Sequence, residues 1–434
     1  MASANTTRLP RALRPFRTGQ YRILAAALVL SLFGAGVWLV AMVFQVRELG
    51  GGPIQLSYVA TANSVGLIVA VLFGGAIADR IPQKRILLAV EATKAAVIIA
   101  TAALALSGAL ELWMLVIAAL VLGLADGFFY PAYSALLPSI LHADELLAAN
   151  GVEGMLRPTI MQALGPLVAG IVIAVLAPSA AFAIIGVTQL LAVAGLAWLR
   201  TTPVRRDVDE SAAPRHPVVA MFIDIREGVG FVVKTPWLLW TLLFALLMVL
   251  AMMGPIEVLL PFAVTDQAGG DAGSFALVLA AFGAGGAISS ILVASRKLPR
   301  RYLTVMTLGW GAGAIPLTII GLTDQVWVMA VAVFVVGFGF GFGQVIWGTL
   351  LQRRVPPAML GRVSSLDFFV SLAFMPISMA VAGPVGEAIG FGPTFLIAGL
   401  VPIVLAVLVI AIARMPRDEI ANPLDVTVEQ TASA

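Results

Sequence analysis

The sequence predicts an all-α integral membrane protein with twelve transmembrane helices in two pseudo-symmetric six-helix halves. Hydrophobic residues make up 60% of the 434 residues and charged residues 11%, and the mean hydropathy is +1.02, which excludes an ordinary water-soluble fold. Apolar runs of about 20 residues, enough to cross about 30 Å of hydrocarbon as helix, recur along the whole chain. Glycine and proline positions repeat at an offset of 218 residues, as in Gly165 and Gly383.

The composition excludes several classes of protein. Cysteine is absent and the histidines are two, His142 and His216, so we expect no disulfide, no thiol nucleophile and no metal site. The net charge is +3 and the basic residues lie at the ends of apolar runs, so we expect no nucleic-acid partner. The sequence contains no convergent catalytic set, which argues against an enzyme.

The first predicted span begins near Tyr21. This run is too long for the apolar region of a signal peptide, and no small-residue cleavage site follows it. The twelve predicted spans are residues 21–46, 56–78, 86–107, 112–134, 154–177, 181–199, 237–263, 275–294, 302–322, 326–348, 366–389 and 393–413.

Basic residues indicate the orientation. They precede span 1 and follow spans 2, 6, 8, 10 and 12, and of the 26 Lys and Arg residues only Arg47 falls in a loop at the other side. The positive-inside rule therefore predicts a multi-pass protein with both termini in the cytoplasm. We expect it to be a monomer surrounded by membrane lipids.

Four segments follow from this pattern. They are an N-terminal six-helix half (1–199), a cytoplasmic linker with an amphipathic helix (200–236), a C-terminal six-helix half (237–413) and a cytoplasmic tail (414–434). Apolar residues at helical spacing, such as Val229 and Val232, predict that the linker helix lies at the membrane interface. It would act as a tether between the halves or as a regulatory helix. Residues 418–434 have the composition of a disordered tail.

The two halves repeat in parallel orientation. Gly165-Pro166 matches Gly383-Pro384, and Gly123 matches Gly341, each at an offset of 218 residues. Repeats of this kind predict a substrate site between the halves near the bilayer midplane, which opens to alternate sides. The glycine-rich run at residues 337–343 lies inside a span, so we interpret it as helix packing or a hinge rather than a nucleotide loop.

Residues 75–85 resemble the signature of the loop between spans 2 and 3 in the major facilitator superfamily. The matching residues are Gly75, Asp79, Arg80, Lys84 and Arg85. The resemblance implies the fold of that family, with a charge cluster that latches one state at the cytoplasmic end of spans 2 and 3. Simple membrane anchoring would explain the basic residues but not the acid.

Residues 163–170 resemble the Gly-Pro antiporter motif of drug exporters in this superfamily, through Gly165, Pro166 and Gly170. Stretches at 126–132, 254–261 and 354–365 are similar to the bacterial branch of macrolide and enterobactin-type exporters. The resemblance covers roughly residues 20–410.

It implies a transporter of the bacterial inner membrane that exports a small amphipathic compound in exchange for protons, with sodium not excluded and no cofactor. A facilitator and a lipid or lysolipid transporter are the alternatives, and an integral-membrane enzyme or a scaffold is disfavoured.

Ionisable residues inside spans are costly, so each is a functional hypothesis. We interpret Asp126 as the leading proton or cation site, since the sequence shows no local base beside it; the alternatives are a pore-wall role or pairing with Arg157. Span 4 has no arginine ahead of its glycine, so the proton route typical of drug antiporters does not transfer.

Glu91 and Lys94 lie three residues apart, either as a structural ion pair or as a proton and gating pair that shares the charge network of the 2–3 loop. Glu257 would accept protons from outside, bind a cationic substrate, or lie at the interface.

Aromatic, amide and guanidinium groups in spans are candidates for the substrate cavity, although packing between helices is the alternative for each. The candidates are Trp38, Phe128, Tyr130, Tyr133, Arg157, Trp310, Gln344 and Trp347.

Overall fold

The computed structural model describes residues 11–78, 81–200, 217–296 and 298–424. These residues are helical almost throughout, and the described ranges contain no β-strand. Twelve helices are long and apolar enough to cross a membrane, which confirms the predicted number. The spans are Gly19–Glu48, Pro53–Phe73, Gln83–Leu106, Leu112–Ile140, Ala148–Val175, Pro178–Ala197, Pro236–Gln267, Ala272–Ala294, Tyr302–Ile320, Val326–Arg354, Met359–Ile389 and Phe391–Ile412.

The individual α-helices are shorter than the spans where a span is interrupted. They are α1 (Gly19–Glu48), α2 (Pro53–Ala78), α3 (Gln83–Leu106), α4 (Leu112–Ile140), α5 (Ala143–Leu156), α6 (Gly165–Val175), α7 (Pro178–Ala197), α8 (Pro217–Lys234), α9 (Pro236–Gly254), α10 (Leu260–Phe262), α11 (Ala272–Ala294), α12 (Tyr302–Gly313), α13 (Leu317–Ile320), α14 (Val326–Arg354), α15 (Pro357–Ala373), α16 (Met375–Ile389), α17 (Phe391–Ile412) and α18 (Met415–Ala421).

Proline accompanies the interruptions. Span 5 contains the π-helical segment Arg157–Leu164, and span 7 contains Pro255–Leu259 and Ala263–Gln267. Span 9 breaks before Pro316, and span 11 breaks before Pro376. Proline has no N–H to donate and its ring crowds the preceding turn, so the helix widens or breaks there.

The chain forms two compact units. The first contains Met1–Gln45 and Val65–Arg206, and the second contains Val46–Ser64 and Asp207–Ala434. The ends of α1 and α2 that flank the first loop therefore group with the second unit. The four predicted segments remain a prediction.

The repeat is visible in the crossings of spans 1 and 5 and of spans 7 and 11. In the first unit, a Cβ added to Gly36 would lie 2.5 Å from the carbonyl oxygen of Met161. In the second unit, a Cβ on Gly254 would collide with the backbone of Ser378 and lie 2.7 Å from Ala382. Gly36 and Gly254 are separated by the same 218 residues, so the duplicated halves share a crossing that only glycine permits.

The glycine run of span 10 lies inside the continuous helix α14 and serves for packing, as predicted. A Cβ on Gly341 would lie 2.6 Å from the carbonyl oxygen of Gly286 in α11. A Cβ on Gly339 would lie 2.7 Å from the Cα of Gly313 in α12. Alternate glycines therefore admit two neighbouring helices at backbone distance.

Helix α8 lies within the segment predicted as a linker. Val232 is buried, Val229 and Val233 are exposed, and Glu227 pairs with Arg362 of α15 at 2.9 Å. This ion pair connects the helix to span 11. Its location at the membrane interface stays a prediction.

The prediction of a disordered tail from residue 418 is wrong for the part that the structure describes. Residues of α18 pack against spans 9 and 10: Glu419 accepts hydrogen bonds from the backbone N–H of Thr304 at 2.6 Å and from its hydroxyl at 3.0 Å. Asp418 pairs with Arg354, and the Tyr302 hydroxyl donates to the carbonyl of Asn422. The composition of this segment predicted disorder because it carries no information about these partners, which lie more than sixty residues away in the chain.

We expect Gly36→Ala to destabilise the protein by about 1–3 kcal/mol, because the added methyl forces spans 1 and 5 apart. Gly195 in α7 provides the matched control, since a Cβ there meets nothing within 4 Å. Gly195→Ala should be neutral or slightly stabilising. Thermal unfolding followed by circular dichroism in detergent measures both, and equal effects would contradict the assigned crossing.

Asp271 caps α11 by accepting hydrogen bonds from the backbone N–H and the hydroxyl of Ser274, both at 2.8 Å. These bonds, the backbone one first, lower the pKa of Asp271 below its usual range. Its stabilisation is therefore present above the pKa of the unfolded chain and is lost as the pH falls through the lower pKa of the folded protein.

We expect Asp271→Ala to cost about 1 kcal/mol at neutral pH, from loss of the cap, and the deficit to shrink in acid. Asp271→Asn keeps an oxygen acceptor without the charge and should remove only the pH dependence. The two variants are compared by thermal unfolding at several pH values; a deficit in Asp271→Ala that grows in acid would refute the role of the charge.

Candidate functional site

Four polar side chains from spans 1, 3 and 4 meet inside the first unit. The Lys94 ammonium donates to Asp126 Oδ1 at 2.9 Å and to the Ser31 hydroxyl at 2.9 Å. The Ser31 hydroxyl donates to Glu91 Oε1 at 2.8 Å, and Lys94 Nζ lies 3.6 Å from the same oxygen. We call Ser31, Glu91, Lys94 and Asp126 the buried quartet.

The members of the buried quartet differ in access. The Glu91 side chain is 0% exposed and that of Lys94 is 5% exposed, whereas that of Asp126 is 41% exposed. Glu91 Oε2 is buried and has no hydrogen-bond partner among the residues that the structure describes. The quartet therefore has one open carboxylate, one enclosed carboxylate and a cation between them.

Helix geometry explains half of this arrangement. Glu91 and Lys94 share a face of α3 because three residues are close to one helical turn, as the sequence predicted. Asp126 reaches the same cation from α4, 32 residues further along the chain, and the Phe129 ring lies 5.8 Å from Lys94 Nζ. The expectation that Asp126 lacks a local base is therefore wrong, since its base comes from another helix.

Arg157 does not pair with Asp126. It lies in the π-helical segment of span 5, 3.5 Å from Glu153 Oε1, with its guanidinium 5.6 Å from the centre of the Tyr130 ring. The alternative that these two residues form an ion pair is wrong. Arg157 and Tyr130 are both exposed, and they remain candidates for the substrate cavity.

The loop signature is partly outside the described residues, because Asp79 and Arg80 are among those that the structure does not describe. Gly75 lies in α2, and Arg85 lies in the first turn of α3. Lys84 donates to the carbonyl oxygen of Ala197 at the end of span 6, at 2.9 Å. The latch stays a prediction.

The Gly-Pro motif lies at the crossing of spans 5 and 1. A Cβ on Gly165 would lie 2.8 Å from the Cα of Gly36, and Gly165 and Pro166 begin α6 directly after the π-helical segment. Gly165, Pro166 and Gly170 are all buried. The motif therefore combines a close crossing with an irregular helix, which is a place where a span can bend.

Glu257 lies in a π-helical segment of span 7 and is half-buried. It has no hydrogen bond or ion pair with any residue that the structure describes. An unpaired carboxylate in a span is costly unless it is protonated or meets a cation. Glu257 remains a candidate for either role.

The tryptophan candidates of the second unit are buried in one cluster. Trp310 is 6% exposed and Trp347 is 5% exposed, and their ring centres are 6.4 Å apart. Trp310 also stacks on Phe244, and Trp347 Nε1 donates to Asp367 Oδ2 at 3.1 Å. In this structure both rings pack between helices instead of facing a cavity.

Two candidates for the substrate cavity in the first unit are also buried between helices. Tyr133 is 1% exposed and stacks on Phe129, and Trp38 is 8% exposed and packs against Phe182. For these two candidates the structure favours the alternative of packing between helices, where large rings fill the gaps. Phe128 is half-buried and Gln344 is exposed, so both stay candidates.

A second charged cluster lies on the side of the bundle opposite the basic loops, where Arg47 is the one basic loop residue in the sequence. Arg47, at the end of span 1, contacts Asp266 Oδ1 at 2.7 Å and donates to the Thr265 hydroxyl at 2.9 Å. Its guanidinium lies 5.3 Å from the centre of the Phe262 ring. The sequence identified Arg47 as the exception among basic residues, but its partners on span 7 are more than two hundred residues away.

Residues 24–373 match the model of the Major Facilitator Superfamily. The Multidrug efflux pump Tap of Mycolicibacterium fortuitum is 27% identical over 423 residues, which cover 92% of this chain and 97% of the relative. Macrolide efflux protein A of Streptococcus pyogenes is 25% identical over 390 residues, covering 88% and 93%. Enterobactin exporter EntS of Escherichia coli is 25% identical over 382 residues, covering 84% and 85%.

The fold has solved counterparts. The crystal structure of the nucleoside transporter NupG superposes with a TM-score of 0.70 at 14% identity and covers 90% of this chain and 98% of that one. The family match covers most of the chain, and the twelve spans agree with it. This multi-pass membrane protein therefore belongs to the Major Facilitator Superfamily, and its function is transport rather than enzymatic catalysis.

Proposed function

We propose that the chain exports a small amphipathic organic compound across a bacterial inner membrane in exchange for protons, by alternating access. Relatives that match nearly their whole length are named as macrolide, multidrug and enterobactin exporters, which supports outward transport. The distribution of basic residues supports cytoplasmic termini.

The charge balance of the buried quartet carries the proposal of proton coupling. Two carboxylates face one ammonium, so the fully ionised quartet has an excess negative charge inside a membrane-spanning bundle. An uncompensated charge there is costly, and one bound proton removes it. Glu91 Oε2, buried and unpartnered, is the atom that such a proton would occupy.

A relay follows from the distances. Lys94 is bonded to Asp126 and lies only 3.6 Å from Glu91 Oε1. When the more accessible Asp126 takes up a proton, its hold on Lys94 weakens and the ammonium moves to Glu91. The ionised form of Glu91 is then favoured, and its proton leaves once alternating access opens Glu91 to the opposite side of the membrane. The quartet keeps the same total charge, because one proton enters at Asp126 and one departs from Glu91.

The substrate chemistry is inferred from a carboxylate that has no partner among the described residues and from an exposed aromatic ring. The half-buried Glu257 would attract the cationic part of an amphipathic compound, and the exposed Tyr130 ring offers a stacking surface for its apolar part. Few other ionisable groups lie in the spans, which disfavours a strongly polar nutrient.

We expect Asp126→Asn to abolish coupled transport while the protein remains folded, because the exposed acceptor of the relay is lost. The test uses inside-out membrane vesicles that are acid inside, with a panel of lipophilic cations, macrolides, tetracyclines and siderophores. Proton release triggered by a substrate is recorded as collapse of the pH gradient. The matched control is Asp324→Asn, which removes an exposed acid from a loop and should release protons like the parent protein.

The same vesicles separate the alternatives. Normal coupled transport by Asp126→Asn would remove Asp126 from the mechanism. Substrate flux that responds to a sodium gradient and not to pH would indicate that sodium is the coupling ion, since a sodium ion can neutralise the same charge. Flux without dependence on either gradient would indicate a facilitator, and movement of lipid alone would indicate a lipid or lysolipid transporter.

We expect Lys94→Met to destabilise the protein by about 3–5 kcal/mol, since it leaves two carboxylates near each other without a cation. The double variant Lys94→Met/Glu91→Gln leaves a single, accessible acid and should recover most of this loss. Thermal unfolding of detergent-solubilised protein measures both changes. Equal stability of the single and double variants would contradict the shared role of Lys94.

A further inference from the structure

A groove of about 670 Å³ lies between spans 9 and 12 at their basic ends, within the second unit. Its apolar wall includes Leu308 of α12 together with Val407 and Ile410 of α17. Arg414 and Arg417 lie at its charged edge. The groove is therefore amphipathic along the direction of the spans, with a size in the range of ligand sites.

The wall of the groove consists of exposed apolar side chains on membrane-spanning helices. Leu308 is 36% exposed and Val407 is 55% exposed, and both lie on helices that cross the membrane. Where such side chains face the bilayer, they contact acyl chains. An occupant of the groove therefore shares its apolar part with the bilayer.

The two arginines at the edge are not neutralised by any residue in the described ranges. Both are exposed, and neither side chain has an ion pair or hydrogen bond with the residues that the structure describes. The nearest acids on α18 are already engaged, since Asp418 pairs with Arg354 and Glu419 is buried against Thr304. Two positive charges are therefore available to an external anion.

The backbone holds these arginines in place. Arg414 has φ 50°, which makes it the only non-glycine residue of the described ranges in the left-handed region. Such a conformation costs about 1 kcal/mol or more and persists where the surroundings impose it. Here it turns the chain from span 12 into α18, and the contacts of Glu419 with Thr304 and of Asn422 with Tyr302 then fix the turn.

We propose that this groove binds an anionic phospholipid, with the phosphate at Arg414 and Arg417 and an acyl chain along Leu308 and Val407. Guanidinium groups pair well with phosphate oxygens, and basic pockets between spans are typical sites for anionic headgroups. A free phosphate would satisfy the arginines but would leave the apolar wall unused. This site is separate from the buried quartet and does not depend on the transported compound.

The test is a titration of delipidated, detergent-solubilised protein with palmitoyl-oleoyl phosphatidylglycerol, in which native mass spectrometry counts the bound lipid. Each juxtamembrane arginine contributes about fivefold to the affinity for an anionic lipid, so Arg414→Gln/Arg417→Gln should bind about 30-fold more weakly. The matched control is Arg296→Gln, which removes another exposed arginine near the end of a span, outside the groove. It should bind like the parent protein.

Two further arms identify the ligand. Phosphatidylcholine with the same acyl chains should bind weakly to all variants, because its headgroup is neutral overall. Val407→Trp should weaken phosphatidylglycerol binding by filling the groove, without removing charge. Unchanged binding by the double arginine variant, equal loss in Arg296→Gln, equal affinity for phosphatidylcholine, or full displacement of the lipid by inorganic phosphate would each overturn the proposal.

Discussion

Hydrocarbon cannot donate or accept hydrogen bonds, and the rest of this structure depends on that constraint. The backbone satisfies it by forming helices, and the side chains satisfy it by meeting partners on other helices. Lys94 illustrates the second solution, because one ammonium contacts groups from spans 1, 3 and 4. Removing charge from water is costly, so a residual imbalance in such a cluster is where a transported proton can be held.

The sequence was sufficient for features that depend on local chemistry. Apolar runs predicted twelve spans, and glycine spacing predicted close packing in span 10, because both follow from residues within one helix. Features that depend on distant residues were not predicted. The base beside Asp126 comes from α3, and the order of α18 depends on partners such as Thr304 and Arg354. The π-helical segments were also not predicted, since proline indicates that a helix is disturbed but not how.

Rigid and irregular elements alternate along the same spans. Gly36 packs against both Met161 and Gly165, so the crossing of the two backbones includes part of the π-helical segment Arg157–Leu164. Span 7 has the same combination, with Gly254 against span 11 followed by the segment that contains Glu257. The glycine contacts resist a change of shape, because the two backbones touch there. The π-helical turn departs from regular α-helical hydrogen bonding, so it can rearrange at modest cost. Candidate functional residues lie beside the turns in both halves.

The contact between Arg47 and Asp266 is sensitive to the salt concentration of the medium around it. The two side chains are 32% and 45% exposed, so water and dissolved ions reach them. At physiological ionic strength, charges are screened over about 8 Å, and the screening length shortens as salt is added. The attraction between the ends of spans 1 and 7 should therefore weaken in a saline medium and strengthen in a dilute one. In the orientation proposed above, the salinity of the external medium would thus influence how readily these two helix ends separate.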